Sequence, residues 1–130
     1  MPTLFTKIIN REIPSYKVAE TEDFYAFLDI NPNTKGHTLC IPKKEVDKFF
    51  DLDEATYIGL MQFSRRVALA IEKTIPCKRV GLSVIGLEVP HVHVHLIPLH
   101  TMENARFIYK EKLQPKDFKA IAEQIAKNFE

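Results

Sequence analysis

Four of the five histidines of this 130-residue chain crowd into one stretch, Pro90–His100, which reads PHVHVHLIPLH. His91, His93 and His95 alternate with Val92 and Val94. Side chains of an extended chain alternate between its two faces, so the three imidazoles stand in a row with the valines packed behind. Packing alone does not explain such a row, because an unpartnered buried imidazole costs free energy that an apolar side chain would not.

Two chemistries suit it. Neutral imidazole is a metal ligand, and three histidines with one open position make a known catalytic zinc arrangement. Neighbours at i and i+2 sit roughly 6.5–7 Å apart along a strand, so two rings converge on one ion easily and three less so. The other chemistry is phosphoryl transfer. An imidazole attacks phosphorus, and its neighbours, if partly protonated, stabilise charge on the phosphate oxygens. Backbone N–H groups of the loop Gly86-Leu87-Glu88-Val89 add anion donors, with Gly86 allowing close approach. A ribose needs an acid for its hydroxyls. Asp29 is placed for that at the end of an apolar run, with Phe27 and Ile30 to flank a base, although, taken alone, a turn residue is the simpler role. His37 joins the imidazoles or is an ordinary satisfied polar residue.

The elements that must position these groups follow from pattern. Leu4, Phe5, Ile8 and Ile9 have helical spacing, closed by Pro14. Tyr16–Glu20 and Phe24–Ile30 read as strands joined at Thr21-Glu22-Asp23, and the second is apolar enough to be central. Asn31–Gly36 is a turn, and His37–Pro42 a third strand. Lys43, Lys44 and Glu45 read as a solvated junction. Asp51 or Asp53 caps a long amphipathic helix, from about Asp53 to Thr74 and ended by Pro76. Val80–Ile85 is a fourth strand, and the histidine stretch a fifth, running to Pro98. After Thr101 the chain turns polar, until Pro115 opens a helix with Phe118, Ile121, Ala122, Ile125 and Phe129 on one face. The order β-β-β-α-β-β-α predicts an antiparallel α+β sheet with helices on one face.

Composition bounds the rest. The length suits one domain over 1–130. A formal net charge of +1 gives no global field for nucleic acid or membrane. No run approaches a membrane span, and the first residues are too charged for a signal peptide. Cys40 and Cys77 lie far apart among apolar neighbours, which predicts free buried thiols and a cytoplasmic protein.

The residues also carry a resemblance. His91-Val92-His93-Val94-His95-Leu96-Ile97 is similar to the signature of the histidine triad (HIT) family, and Ala26–Pro32 followed by Gly36–Lys43 resembles the family's other long motif. Phe5–Ile9 with Glu12-Ile13-Pro14 resembles its N-terminus. The likeness covers about residues 3–100 and points to the nucleotide-hydrolase branch. It implies a five-stranded antiparallel sheet continued across a homodimer, with 101–130 as an extension packing on the domain or on the partner. It implies hydrolysis at the α-phosphate of nucleoside phosphoramidates or related purine nucleotides, adenosine types first, dinucleoside polyphosphates among them. His93 would be the nucleophile forming a nucleotidyl-imidazole. His91 would orient it through its carbonyl, His95 would bind phosphate oxygens and His37 would complete the network. Asp29 would hold the ribose, with Phe27 and Ile30 in the base pocket. No metal or cofactor is needed.

There are departures. The family carries Gly-Gln-Ser/Thr-Val before the triad, whereas here Leu87 and Glu88 replace the glutamine and the hydroxyl residue. Ser83 is the nearest polar residue to an expected asparagine. Glu88 is either solvent-facing or a general acid, and the backbone donors at Glu88 and Val89 survive either way. A nucleotide-binding module with little catalysis is therefore the alternative. Some members hold a structural zinc through an N-terminal C-x-x-C and two histidines. Thr3 and Thr6 stand at the cysteine positions and Glu45 at a histidine position, which predicts no zinc.

Overall fold

A computed structural model gives the structure of residues 2–130. Helix α1 (Leu4–Ile9) comes first, then β1 (Lys17–Glu20), β2 (Phe24–Leu28) and β3 (Thr38–Pro42). The long helix α2 (Glu54–Thr74), β4 (Arg79–Ser83), β5 (Val94–Leu99) and α3 (Pro115–Asn128) complete the order. The strands form one antiparallel sheet ordered β1-β2-β3-β5-β4. The α+β expectation holds. β2 is internal as its apolar run implies, but the middle strand is β3, whose five residues are all buried.

The two faces are sorted by residue parity. Ala26 and Leu28, Cys40, and Val92, Val94 and Leu96 face a core built with Leu60, Phe63, Val67 and Ile71 of α2 and with Phe118, Ile121 and Ile125 of α3. Tyr25 and Phe27, Leu39 and Ile41 face the other way, against Phe5 and Ile8. The two helices of the expected order, α2 and α3, share one face as expected; α1 lies outside that order. α1 is too short to span the sheet, and it caps the second face, where the histidines also emerge. Asp53 is the α2 N-cap, its carboxylate accepting from Thr56 N at 3.1 Å. The junction after β3 is tied rather than merely solvated, since Lys43 pairs with Glu20 at 2.8 Å and Lys44 with Asp53 at 3.2 Å.

Gly36 has φ +95°, and a Cβ there would lie 2.9 Å from Ile75 Cγ1, so the bend that delivers His37 to β3 requires glycine. Cys40 is fully buried, and its thiol is pushed up to about 12 by desolvation. Cys77 is free but only half-buried, which corrects the expectation for it. Among the described residues no helix is long and apolar enough to cross a membrane.

Candidate active site

The histidine row exists, but only its last member is in a strand. β5 begins at Val94, so His91 and His93 lie in extended chain ahead of it. The reason is on the neighbouring strand. Cys40 pairs with Val94, and continuing that register would set Val92 opposite Pro42, which has no N–H to give. Val92 N instead donates to Val46 O at 2.8 Å. Alternation survives the loss of the ladder, and all three imidazoles remain on the α1 face.

Hydrogen-bond partners fix the proton on each ring. His93 Nδ1 lies 2.7 Å from the carbonyl of His91, which only accepts. Nδ1 is therefore the protonated nitrogen of His93, and Nε2 keeps its lone pair. At the other end, Asn33 N–H donates to His37 Nδ1 at 2.9 Å. The proton of neutral His37 is thus on Nε2, which donates to His95 Nδ1 at 3.0 Å. His95 in turn carries its proton on Nε2. Neither His93 Nε2 nor His95 Nε2 has a partner among the described residues, and both rings line open cavities. A bare nitrogen and an N–H donor stand side by side, with ring centroids 5.0 Å apart.

The His37 and His95 imidazoles resist protonation. Burial first, then the neighbouring ring and Lys110, hold His37 down at about 3 and His95 at about 4. A ring buried in low dielectric resists charging while no anion is bound. Its N–H dipole is what it offers.

His91 is wholly buried and held from both sides. Its Nε2–H donates to Pro42 O at 2.8 Å, and Nδ1 accepts from Thr3 Oγ1 at 2.7 Å. Thr3 N and Thr6 Oγ1 both donate to one oxygen of Glu45, each at 2.7 Å. The positions compared above with zinc ligands thus form a hydrogen-bonded clasp that locks α1 to the histidine stretch. Hydroxyl and carboxylate groups already committed to one another do not fit a thiolate-type zinc site. Asp29, His37 and His95 also bring ligand atoms within 4.8 Å of one another. An ion there would have to break the His37–His95 hydrogen bond, so the donor set fits the proton relay better than a metal.

Two cavities meet at His93 and His95. One, about 230 Å³, is apolar and lined by Phe5, Phe27, Ile30, Leu39 and Val89. The other, about 460 Å³, is more polar and lined by Asn31, Gly86, Leu87, Phe107 and Lys110. Asp29 and Glu88 line both. Asp29 continues the β2–β3 ladder, its N–H donating to His37 O at 3.0 Å. Its Oδ1 accepts from Asn31 N at 2.8 Å, and burial holds its carboxyl above the usual range. Its Oδ2 stands 3.6 Å from His37 Nε2, too long for a hydrogen bond.

The structure brings His37, His91, His93, His95, Asp29, Phe27, Gly86, Glu88 and Val89 together. Ile30 is 73% exposed and forms a rim rather than a pocket floor. Ser83 pairs opposite His95 in the sheet but lines neither cavity. Gly86 has φ +76° and turns the loop past the site. Leu87, which stands where a glutamine was expected, is 89% exposed. Sequence reasoning missed Phe5 and Phe107, whose rings lie edge-on to His93 and His95 at 5.0 and 4.9 Å. It also missed Asn33 and Lys110.

Residues 10–102 match the HIT domain family, and the chain belongs to it. It is 33% identical to the adenosine 5′-monophosphoramidase of Schizosaccharomyces pombe, with 97% of each chain covered. It is 42% identical to the adenosine 5′-monophosphoramidase of Saccharomyces cerevisiae over 73% of this chain and 61% of that one. A solved HIT-like protein from Bartonella henselae, described as involved in cell-cycle regulation, superposes with TM-score 0.83 at 29% identity, covering 97% and 95% of the two chains.

The neutral imidazoles set an acid sensitivity. Below about pH 6.5 the unfolded chain protonates His95, while the folded chain resists until about 4, so stability rises with pH across that window. Urea unfolding at pH 7 and pH 4.5 should show a pH-dependent loss smaller by roughly 2 kcal/mol in His95→Gln than in the native protein. Equal losses would contradict a neutral His95.

Proposed function

We propose that this protein hydrolyses nucleoside 5′-phosphoramidates, adenosine forms first, through a covalent nucleotidyl-His93. The carrying observation is the His93 Nδ1–H hydrogen bond to the His91 carbonyl, which leaves Nε2 as a free lone pair in a cavity. The HIT fold and the phosphoramidase names of two relatives support the substrate class.

The base enters the apolar cavity between Phe27 and Ile30, and Asp29 accepts from the ribose hydroxyls. The α-phosphate sits between His93 and His95, with the His95 Nε2–H and the backbone N–H groups near Gly86 and Val89 as donors to its oxygens. Nε2 of His93 bonds to phosphorus as the P–N bond breaks, and the departing amine takes a proton from solvent. Nδ1 keeps its proton, so the nucleotidyl ring is cationic, and the His91 carbonyl stabilises that charge. Water then attacks phosphorus, freeing the nucleoside monophosphate and a proton and restoring neutral His93. No step calls for a metal.

The loop supports the alternative of a binding module, since Leu87 and Glu88 are both exposed where other members place polar donors. Rapid mixing with adenosine 5′-phosphoramidate separates the two readings. A trapped adenylyl-protein in the native chain, and a loss of about 10³-fold or more in kcat for His93→Ala with binding retained, is the expected result. Tight binding without adduct or turnover would leave only the module.

We also infer a homodimer. β4 ends the sheet with one unpaired edge, and Leu82 on it and Ile85 just after it are 51% and 50% exposed. Sedimentation should give twice the 15.0 kDa chain mass, falling to one chain in Leu82→Glu. A monomeric native protein would refute this.

A further inference from the structure

The wall facing His95 from the polar cavity comes from a segment that no strand or long helix holds, yet that segment is firmly placed. Glu111 N donates to Pro32 O at 2.8 Å, and Asn33 Nδ2 donates to Asn104 O at 3.0 Å. These bonds stitch residues 104–111 onto the same turn whose Asn33 N–H sets the His37 tautomer. Phe107 thereby covers His95, and the ammonium of Lys110 is fixed 2.8 Å from Asn33 Oδ1 and 4.9 Å from the Phe107 ring centre. Lys110 lines the cavity beside His93 and His95 and makes no ion pair among the described residues. Asp29, His37 and His95 all feel its charge. Asp29 and Glu88 face the same cavity. Asp29 already accepts from Asn31 N, and Glu88 is exposed.

A half-buried ammonium offset by one amide oxygen and an aromatic face retains most of its charge for a ligand. With the nucleoside in the apolar cavity and phosphorus between His93 and His95, the space left for the leaving group is the polar cavity in front of Lys110. We propose that Lys110 is the specificity-determining residue for that group, and that the site selects nucleotides whose leaving group carries its own negative charge, as a carboxylate or a further phosphate. This rests on the hydrolase reading above for the direction of the bound nucleotide.

Two substrate pairs test it. The first is the adenosine 5′-phosphoramidates of β-alanine and of propylamine, compared by kcat/KM. The second is ADP and AMP, compared by calorimetric Kd. The native chain should favour the charged member of at least one pair by about tenfold, as one charge-assisted hydrogen bond provides. Lys110→Gln should abolish that ratio and Lys110→Arg should retain it. Preference within the first pair alone identifies a carboxylate, and within the second alone a phosphate. Ratios unchanged in Lys110→Gln, or no charge preference in the native chain, would overturn the proposal. Turnover with no Lys110-dependent ratio sinks this inference and spares the hydrolase. A Lys110-dependent preference for ADP without any turnover does the reverse.

Discussion

The site depends on where four protons sit. Three of those positions are set by groups that cannot change role: the His91 carbonyl, the Pro42 carbonyl and the Asn33 amide. A carbonyl only accepts and an amide N–H only donates, so each imposes one tautomer on the ring it meets. The fourth follows by relay through His37 to His95. The tautomers thereby point a lone pair of His93 and a donor of His95 into the cavities, and desolvation keeps His37 and His95 neutral.

The fold serves this arrangement by separating two tasks across one sheet. Every second residue of β2, β3 and β5 faces α2 and α3, and that face is largely apolar, with Thr38 the buried polar exception on β3. The intervening residues meet α1 and can carry Asp29, His37 and the triad. Pro42 performs two functions in this plan. Without an N–H it stops the ladder, and with its spare carbonyl it receives His91. The Thr3–Thr6–Glu45 clasp then closes α1 over the row, bringing Phe5 onto His93 and fixing His91, whose carbonyl accepts from His93 Nδ1.

Much of this was legible in residue types and periods. The α2 stripe, the near-continuous apolar run of β2 and the valines between the histidines each encode burial directly, because the period of the pattern is the period of the backbone. Asp29 and His37 were legible as chemistry-bearing residues flanking one turn. What stayed hidden depends on pairs distant in sequence. That β5 starts only at Val94 follows from register against Pro42, and register is a tertiary property. The neutrality of His37 and His95 follows from burial, which no local pattern reports. Phe107 and Lys110 lie in a polar stretch with no period, held by Pro32 and Asn33 from the other end of the chain. The position of α1 on the second face was not legible either, because a short segment takes its direction from what it packs against.

The central claim is the proton placement, and ¹⁵N-detected long-range correlation spectra of the imidazoles at pH 7 test it most directly. The account predicts His93 with a proton on Nδ1, and His37, His91 and His95 with theirs on Nε2, His37 and His95 being uncharged. A His93 protonated on Nε2 alone, or a doubly protonated His37 or His95, would contradict it.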